Sequence, residues 1–190
     1  MDQLFHEDES FENLILTGKP MQNITWENCT FVNCDLSEVS FSFSKFIDCS
    51  FNDCNLSMAK LAASQMKSAI FSRCKILGVN FGDCSDSLFS VSFDSSILDF
   101  ASFAGKKMLK TSFKNSSLRN ADFSECDLSG SLFMNCDLDN AVFNKTILKE
   151  ADFRTAINFN IDPENNNIRK AKFSLNGLAG LLNKYNLTID

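Results

Sequence analysis

Large apolar residues recur along the chain at an interval of five. From Trp26 the series runs through Phe31, Leu36, Phe41, Phe46, Phe51, Leu56, Leu61, Met66, Phe71, Ile76 and Phe81. It misses a step at Asp86, resumes at Leu88, and continues through Phe93, Leu98, Phe103, Met108, Phe113, Leu118, Phe123, Leu128, Phe133, Leu138, Phe143 and Leu148 to Phe153. The slip is two residues within 82–87 and reads as an outward bulge. A period of five fits neither a helix nor a plain strand, and it does fit a chain that turns a corner every five residues. Two positions before each centre stands a smaller residue, such as Cys34, Val39, Ser44, Cys54 or Ala59. Residues two apart on a short extended segment share a side, so both face inward. The residues between these pairs are mostly Asp, Asn, Ser, Lys and Glu, as solvent-facing positions should be.

Residues twenty apart sort by type, which predicts four walls per coil. One wall reads Phe31, Phe51, Phe71, Phe93, Phe113, Phe133 and Phe153. The next is aliphatic: Leu36, Leu56, Ile76, Leu98, Leu118 and Leu138. A third reads Phe41, Leu61, Phe81, Phe103, Phe123 and Phe143; a looser fourth reads Trp26, Phe46, Met66, Leu88, Met108, Leu128 and Leu148. The sorting survives the slip. Trp26 to Phe153 then forms a tower roughly 31 Å tall, at one inter-strand spacing per coil. The expected fold is all-β, a right-handed quadrilateral β-helix with a short C-terminal capping helix, and each coil is buried only by its neighbours. Its parts are an acidic leader and first-coil cap over 1–23, the helix proper over 24–155, and a C-terminal cap over 156–190.

Seven of the 8 cysteines fall in the small inward class, with Cys84 outside it, so they read as reduced core residues rather than a metal or disulfide framework. The only histidine, His6, lies in the acidic leader and reads as solvated, and no catalytic pairing or phosphate loop appears. No enzyme, cofactor or metal is expected. No signal peptide or apolar span is visible, which predicts a cytoplasmic protein that does not enter a membrane. Asp86 and Lys106 share an inward column. They form either a buried pair or a distorted wall in which both reach water, and the adjacent slip favours distortion.

The triplets Ala121-Asp122-Phe123, Ala151-Asp152-Phe153, Cys34-Asp35-Leu36, Cys126-Asp127-Leu128 and Cys136-Asp137-Leu138 resemble the pentapeptide-repeat family, whose fold is a four-sided right-handed β-helix. Ile24-Thr25-Trp26-Glu27-Asn28-Cys29-Thr30-Phe31 is similar to the opening of its Qnr, MfpA and McbG type, and Leu178 to Tyr185 is similar to that type's dimerising C-terminal helix. The resemblance implies a DNA mimic that binds DNA gyrase or topoisomerase IV and confers fluoroquinolone resistance. The alternative is an interaction scaffold for another protein, for which outward Phe43, Phe89 and Phe100 are docking candidates.

The formal charge of −6 disfavours direct nucleic-acid binding. Much of it sits in residues 1–23, with five acids and one base, so the rod itself is mildly acidic. The most acidic outward strip is on the aliphatic wall: Asp35, Glu38, Asp99, Asp137 and Asp139, against Lys75 and Arg119. A basic cluster, Lys106, Lys107, Lys110 and Lys114, interrupts the tower. At the C-terminus Ser174 can N-cap a short helix bearing Leu178, Leu181, Leu182 and Tyr185. This segment reads either as a plug or as a plug whose spare face pairs two chains into a homodimer.

Overall fold

The computed structural model describes residues 4–188. Eleven short strands form in chain order: β1 (Leu4–Glu7), β2 (Ser10–Glu12), β3 (Ile24–Glu27), β4 (Thr30–Val32), β5 (Lys45–Ile47), β6 (Ser50–Asn52), β7 (Gln65–Lys67), β8 (Ala69–Ser72), β9 (Val91–Asp94), β10 (Ser112–Lys114) and β11 (Leu132–Met134). All pair in parallel. The fourth wall carries the sheet β1-β3-β5-β7, and the phenylalanine wall carries β2-β4-β6-β8-β9-β10-β11. Isolated parallel bridges such as Asp35↔Asn55↔Lys75 and Ser102↔Asp122↔Val142 build the other two walls. The result is a right-handed β-helix of about seven turns.

Stacking is read directly from the register. Phe31 lies over Phe51 and Phe51 over Phe71, and then Phe71 pairs with Phe93 across the slip. Successive rings from Phe11 to Phe173 sit 4.5–5.4 Å apart and near parallel. The third-wall rings Phe81, Phe103, Phe123 and Phe143 stack at 4.9–5.2 Å and meet the phenylalanine wall edge-on, as Phe103 meets Phe113 at 83°. Crossed stacks of this kind satisfy the ring quadrupoles while filling the axis. Phe31, Phe51, Phe71, Phe93, Phe113, Phe133 and Phe153 are all buried.

The small inward residues do more than save space. Where the column is Val or Ala, the corner closes with a backbone bond, as from the Val39 N–H to the Leu36 carbonyl at 3.3 Å and from Ala101 to Leu98 at 3.0 Å. The column Cys34, Cys54, Cys74, Ser96, Ser116, Cys136 uses side chains instead. The Cys34 thiol donates to the Phe11 and Val32 carbonyls, each at 3.3 Å, and the Cys34 N–H donates to Cys54 Sγ at 3.4 Å. The Cys74 N–H likewise donates to Ser96 Oγ at 3.0 Å, and the Ser96 N–H to Ser116 Oγ at 3.1 Å. In this column, Cys and Ser side chains satisfy the backbone N–H groups that would otherwise be buried without a partner.

The slip is where the structure corrects the sequence reading. Leu88, expected as a core centre, is 71% exposed, whereas Phe89, expected outside, is 8% exposed. The Ser90 N–H re-enters the ladder on the Met66 carbonyl at 2.8 Å, so the bulge uses up Asp86–Leu88 and Phe89 turns in against Phe81. Cys84 is buried beside Ser64 Oγ at 3.4 Å, so it too belongs to the inward class. Lys106 is buried, and its Nζ reaches Asp86 Oδ1 at 2.6 Å; Asp86 alone faces water.

The repeat also runs further than Trp26 to Phe153. Residues 4–23 make a complete coil. His6 lies in the fourth-wall register over Trp26, ring to ring at 6.4 Å, with Nδ1 3.0 Å from Glu9 Oε1. At the other end Asn166 keeps the inward column, accepting from the Thr146 N–H at 2.9 Å, and Ile168 and Phe173 pack on the core. Among the described residues no helix is long and apolar enough to cross a membrane.

Candidate partner-binding surface

Two surfaces were singled out by sequence, the acidic strip and the C-terminal cap. On the aliphatic wall the outward column runs Ile15, Asp35, Asn55, Lys75, Ile97, Ser117, Asp137, Ile157. Asp35 and Asp137 therefore share a face but stand five coils apart, roughly 24 Å. The strip is two clusters, Asp35 with Glu38 below and Asp99 with Asp137 and Asp139 above, separated by the coils of Asn55 and Lys75.

Several of these carboxylates are already engaged. Asp35 Oδ1 accepts from the Ser37 hydroxyl at 2.6 Å and the Ser37 N–H at 3.1 Å, and these bonds hold its carboxyl below the usual range. Asp137 accepts from Arg119 Nε at 2.6 Å and Asn158 Nδ2 at 2.8 Å. Burial pushes the Asp137 carboxyl up, but the bonds from Asn158 and Arg119 outweigh it and the net direction is down. The Arg119 N–H also donates to Asp99 Oδ1 at 3.1 Å, so one guanidinium-bearing residue ties the upper cluster together. Glu38 and Asp139 are exposed.

Beside the acidic wall runs an apolar feature that includes Phe100, one of the outward phenylalanines expected from the sequence. The second residue after each centre turns the corner with a left-handed backbone, and Asn or Asp commonly fills it, as at Asn28, Asn33, Asp48, Asp53, Asn115 and Asn135. These residues tolerate positive φ, whereas a bulky side chain there is strained. Met58 (φ 58°) and Phe100 (φ 61°) break the pattern on the corner that borders the acidic wall, and both are more than half exposed. Gly78 stands between them, and a Cβ there would come within 2.6 Å of Met58 Sδ, so the thioether lies across it. The product is an apolar ridge with Glu38 below it and Asp99 beside Phe100 on the same coil. Phe43 (φ 63°) is a similar exposed exception on the next corner. The legible signal is the identity of the corner column itself, where Met and Phe are out of place.

The cap is a pair of short 3-10 helices, Leu175–Leu181 and Asn183–Tyr185, and the Ser174 hydroxyl accepts from the Gly177 N–H at 3.2 Å. Phe159 plugs the last coil against Phe153 and Phe173. Gly177 and Gly180 ride directly on its ring, where a Cβ has no room. Leu181 packs on the core, Leu182 is half-buried, and Leu178 and Tyr185 are partly exposed. The Tyr185 hydroxyl donates to Glu164 Oε1 at 2.8 Å, and Lys184 Nζ bridges Asp162 and Glu164 at 2.7 Å each, clamping the cap to the preceding loop. Leu175 and Leu187 project outward.

Comparison with known proteins agrees with this architecture. A family model described as a pentapeptide repeat region matches residues 8–81 and 24–103, and one described as pentapeptide repeats (8 copies) matches 96–135 and 126–157. Among solved structures, a trypsin-treated variant of QnrB1, described as a plasmid-mediated fluoroquinolone resistance protein, is 18% identical with a TM-score of 0.72, covering 100% of both chains. Full-length QnrB1 is 20% identical with a TM-score of 0.55, covering 94% of this chain and 100% of that one. At such identity the likeness is one of fold. No curated protein sequence matches the chain.

Proposed function

Because this chain belongs to the pentapeptide-repeat family, we propose that it is a non-enzymatic, protein-binding rod that presents its aliphatic wall to DNA gyrase or topoisomerase IV in place of DNA. The observation that carries this reading is the disposition of Glu38, Asp99, Asp137 and Asp139 along one face of a narrow, regular tower. Negative groups along one face of such a rod complement a cationic DNA-binding saddle and speed encounter with it. The resemblance to fluoroquinolone-resistance proteins makes protection from such drugs the expected consequence. The setting proposed for this activity is the cytoplasm.

The Met58–Phe100 ridge favours a second reading. A DNA backbone offers no apolar counterpart to it, so a partner with an apolar cleft rimmed by basic residues fits the same face. A gyrase supercoiling assay with and without ciprofloxacin separates the readings. The first expects inhibition or rescue that weakens when Asp99 and Asp139 are changed to Asn. Neither effect, together with no gyrase retained on immobilised protein, removes it and leaves the scaffold reading.

A further inference from the structure

The fourth wall lies across the tower from the acidic face, and its charge is divided. The bulge interrupts it midway: His6, Trp26, Phe46 and Met66 are its centres before the interruption, and Met108, Leu128, Leu148 and Ile168 are those after it. The lower half is the sheet β1-β3-β5-β7, and the upper half is the bridge column Lys107, Asp127, Ile147, Asn167. Glu7, Asp8, Glu27 and Asp48 outnumber Lys45 and Lys67 in the lower half, whereas Lys107, Lys110, Lys149, Arg169 and Lys170 outnumber Asp127 and Glu150 in the upper half. Among the described residues Glu7, Asp8, Glu27, Lys45, Arg169 and Lys170 have no ion-pair partner.

We propose that this wall is the interface for a second copy of the chain, laid antiparallel with the two-fold axis at the bulge. The test of self-complementarity is geometric. A two-fold axis across the wall brings each outward column onto itself with its levels reversed, and residue i meets j while j meets i. Glu7 then faces Arg169, Asp8 faces Lys170, Glu27 faces Lys149, and Lys45 faces Asp127, each twice. The remaining juxtapositions are not like-charged: Ile47 meets Ser129, Lys67 meets Leu109, Gln65 meets Lys107, and Asp48 meets Gly130. At the axis, exposed Leu88 meets its own copy. A parallel pairing would instead keep every coil at its own level, setting the acidic half against the acidic half and the basic half against the basic half. Charge pattern therefore selects a second, reversed copy over any single-sign partner. Both aliphatic walls stay outward in such a pair, so it carries two copies of the proposed partner-binding face.

Analytical ultracentrifugation of the full chain tests this. The expected result is a concentration-dependent dimer that weakens at least tenfold with Glu7→Lys/Asp8→Lys, or with Arg169→Glu/Lys170→Glu. Combining all four changes in one chain restores it. Because these residues are exposed, the circular dichroism spectrum of the folded chain should be unchanged. Leu88→Cys, in the otherwise unaltered chain, should cross-link two copies under mild oxidation. A monomer at all concentrations overturns the proposal. So does a dimer indifferent to the charge changes and abolished by Leu178→Asp, which would place the contact at the C-terminal cap.

Discussion

Lys106 and Asp86, twenty residues apart, form an ion pair with one partner inside the tower and one outside it. The lysine side chain is 4% exposed, and that of Asp86 is 84% exposed, with Nζ and Oδ1 at 2.6 Å. The ammonium also donates to the Cys84 carbonyl and lies 5.5 Å from the Phe89 ring centroid. It thus pins the bulge from within.

The two partners should differ sharply on substitution. Asp86→Ala is expected to cost about 1–2 kcal/mol, because the Cys84 carbonyl still accepts from the buried ammonium and water enters where the exposed carboxylate stood. Lys106→Ala removes buried volume and orphans the Cys84 carbonyl, for an expected loss of about 2–4 kcal/mol. Chemical denaturation of both variants checks the order.

Position along the tower should grade the cost of losing a ring. Phe113 is buried between Phe93 and Phe133, and Phe113→Ala should cost about 3–5 kcal/mol. Phe11 is half-buried in the first coil with a single stacked ring above it, so Phe11→Ala should cost roughly half as much. Equal losses would contradict nearest-neighbour stacking as the source of stability.

Phe100→Asn should separate stability from binding. Asn suits the left-handed corner, so the variant is expected to gain about 1 kcal/mol. It should at the same time weaken capture of the partner, since the exposed ring is lost. A melt and a pull-down on the same sample measure both.

The thiols of Cys49, Cys126 and Cys136 should be silent at neutral pH. Burial pushes Cys49 and Cys136 up to about 11 and Cys126 to about 12, from an ordinary 9.0. A folded value above the unfolded one gives stability that is complete below about pH 9 and falls as pH rises toward the folded values. Thiol reagents at pH 8 should therefore label the native chain slowly. Cys136→Ser should be tolerated, because Ser96 and Ser116 fill the same column, and it should reduce the alkaline loss.

Acid should act through Asp137, whose carboxyl is held below its ordinary 3.8. A depressed folded value gives stability that is present above about pH 4 and lost as pH falls through the folded value. Melting temperature should drop below pH 4, and less steeply in Asp137→Asn. Thermal melts from pH 2.5 to 6 show whether the slope changes.

The period of five, the four walls and the stacked Phe core were legible in the residues alone, because each wall repeats one environment and so selects one residue class at every turn. That Asp35 and Asp137 share one outward column followed from the twenty-residue spacing. The tie between Asp99 and Asp137 through Arg119 depends on contacts between coils that linear order does not display. Tertiary structure alone decided that Leu88 goes out and Phe89 in, that Cys84 is core, and that Lys106 is buried. At the bulge the local repeat leaves two registers open, and the choice falls to the hydrogen bonds and ring contacts of residues about twenty positions away.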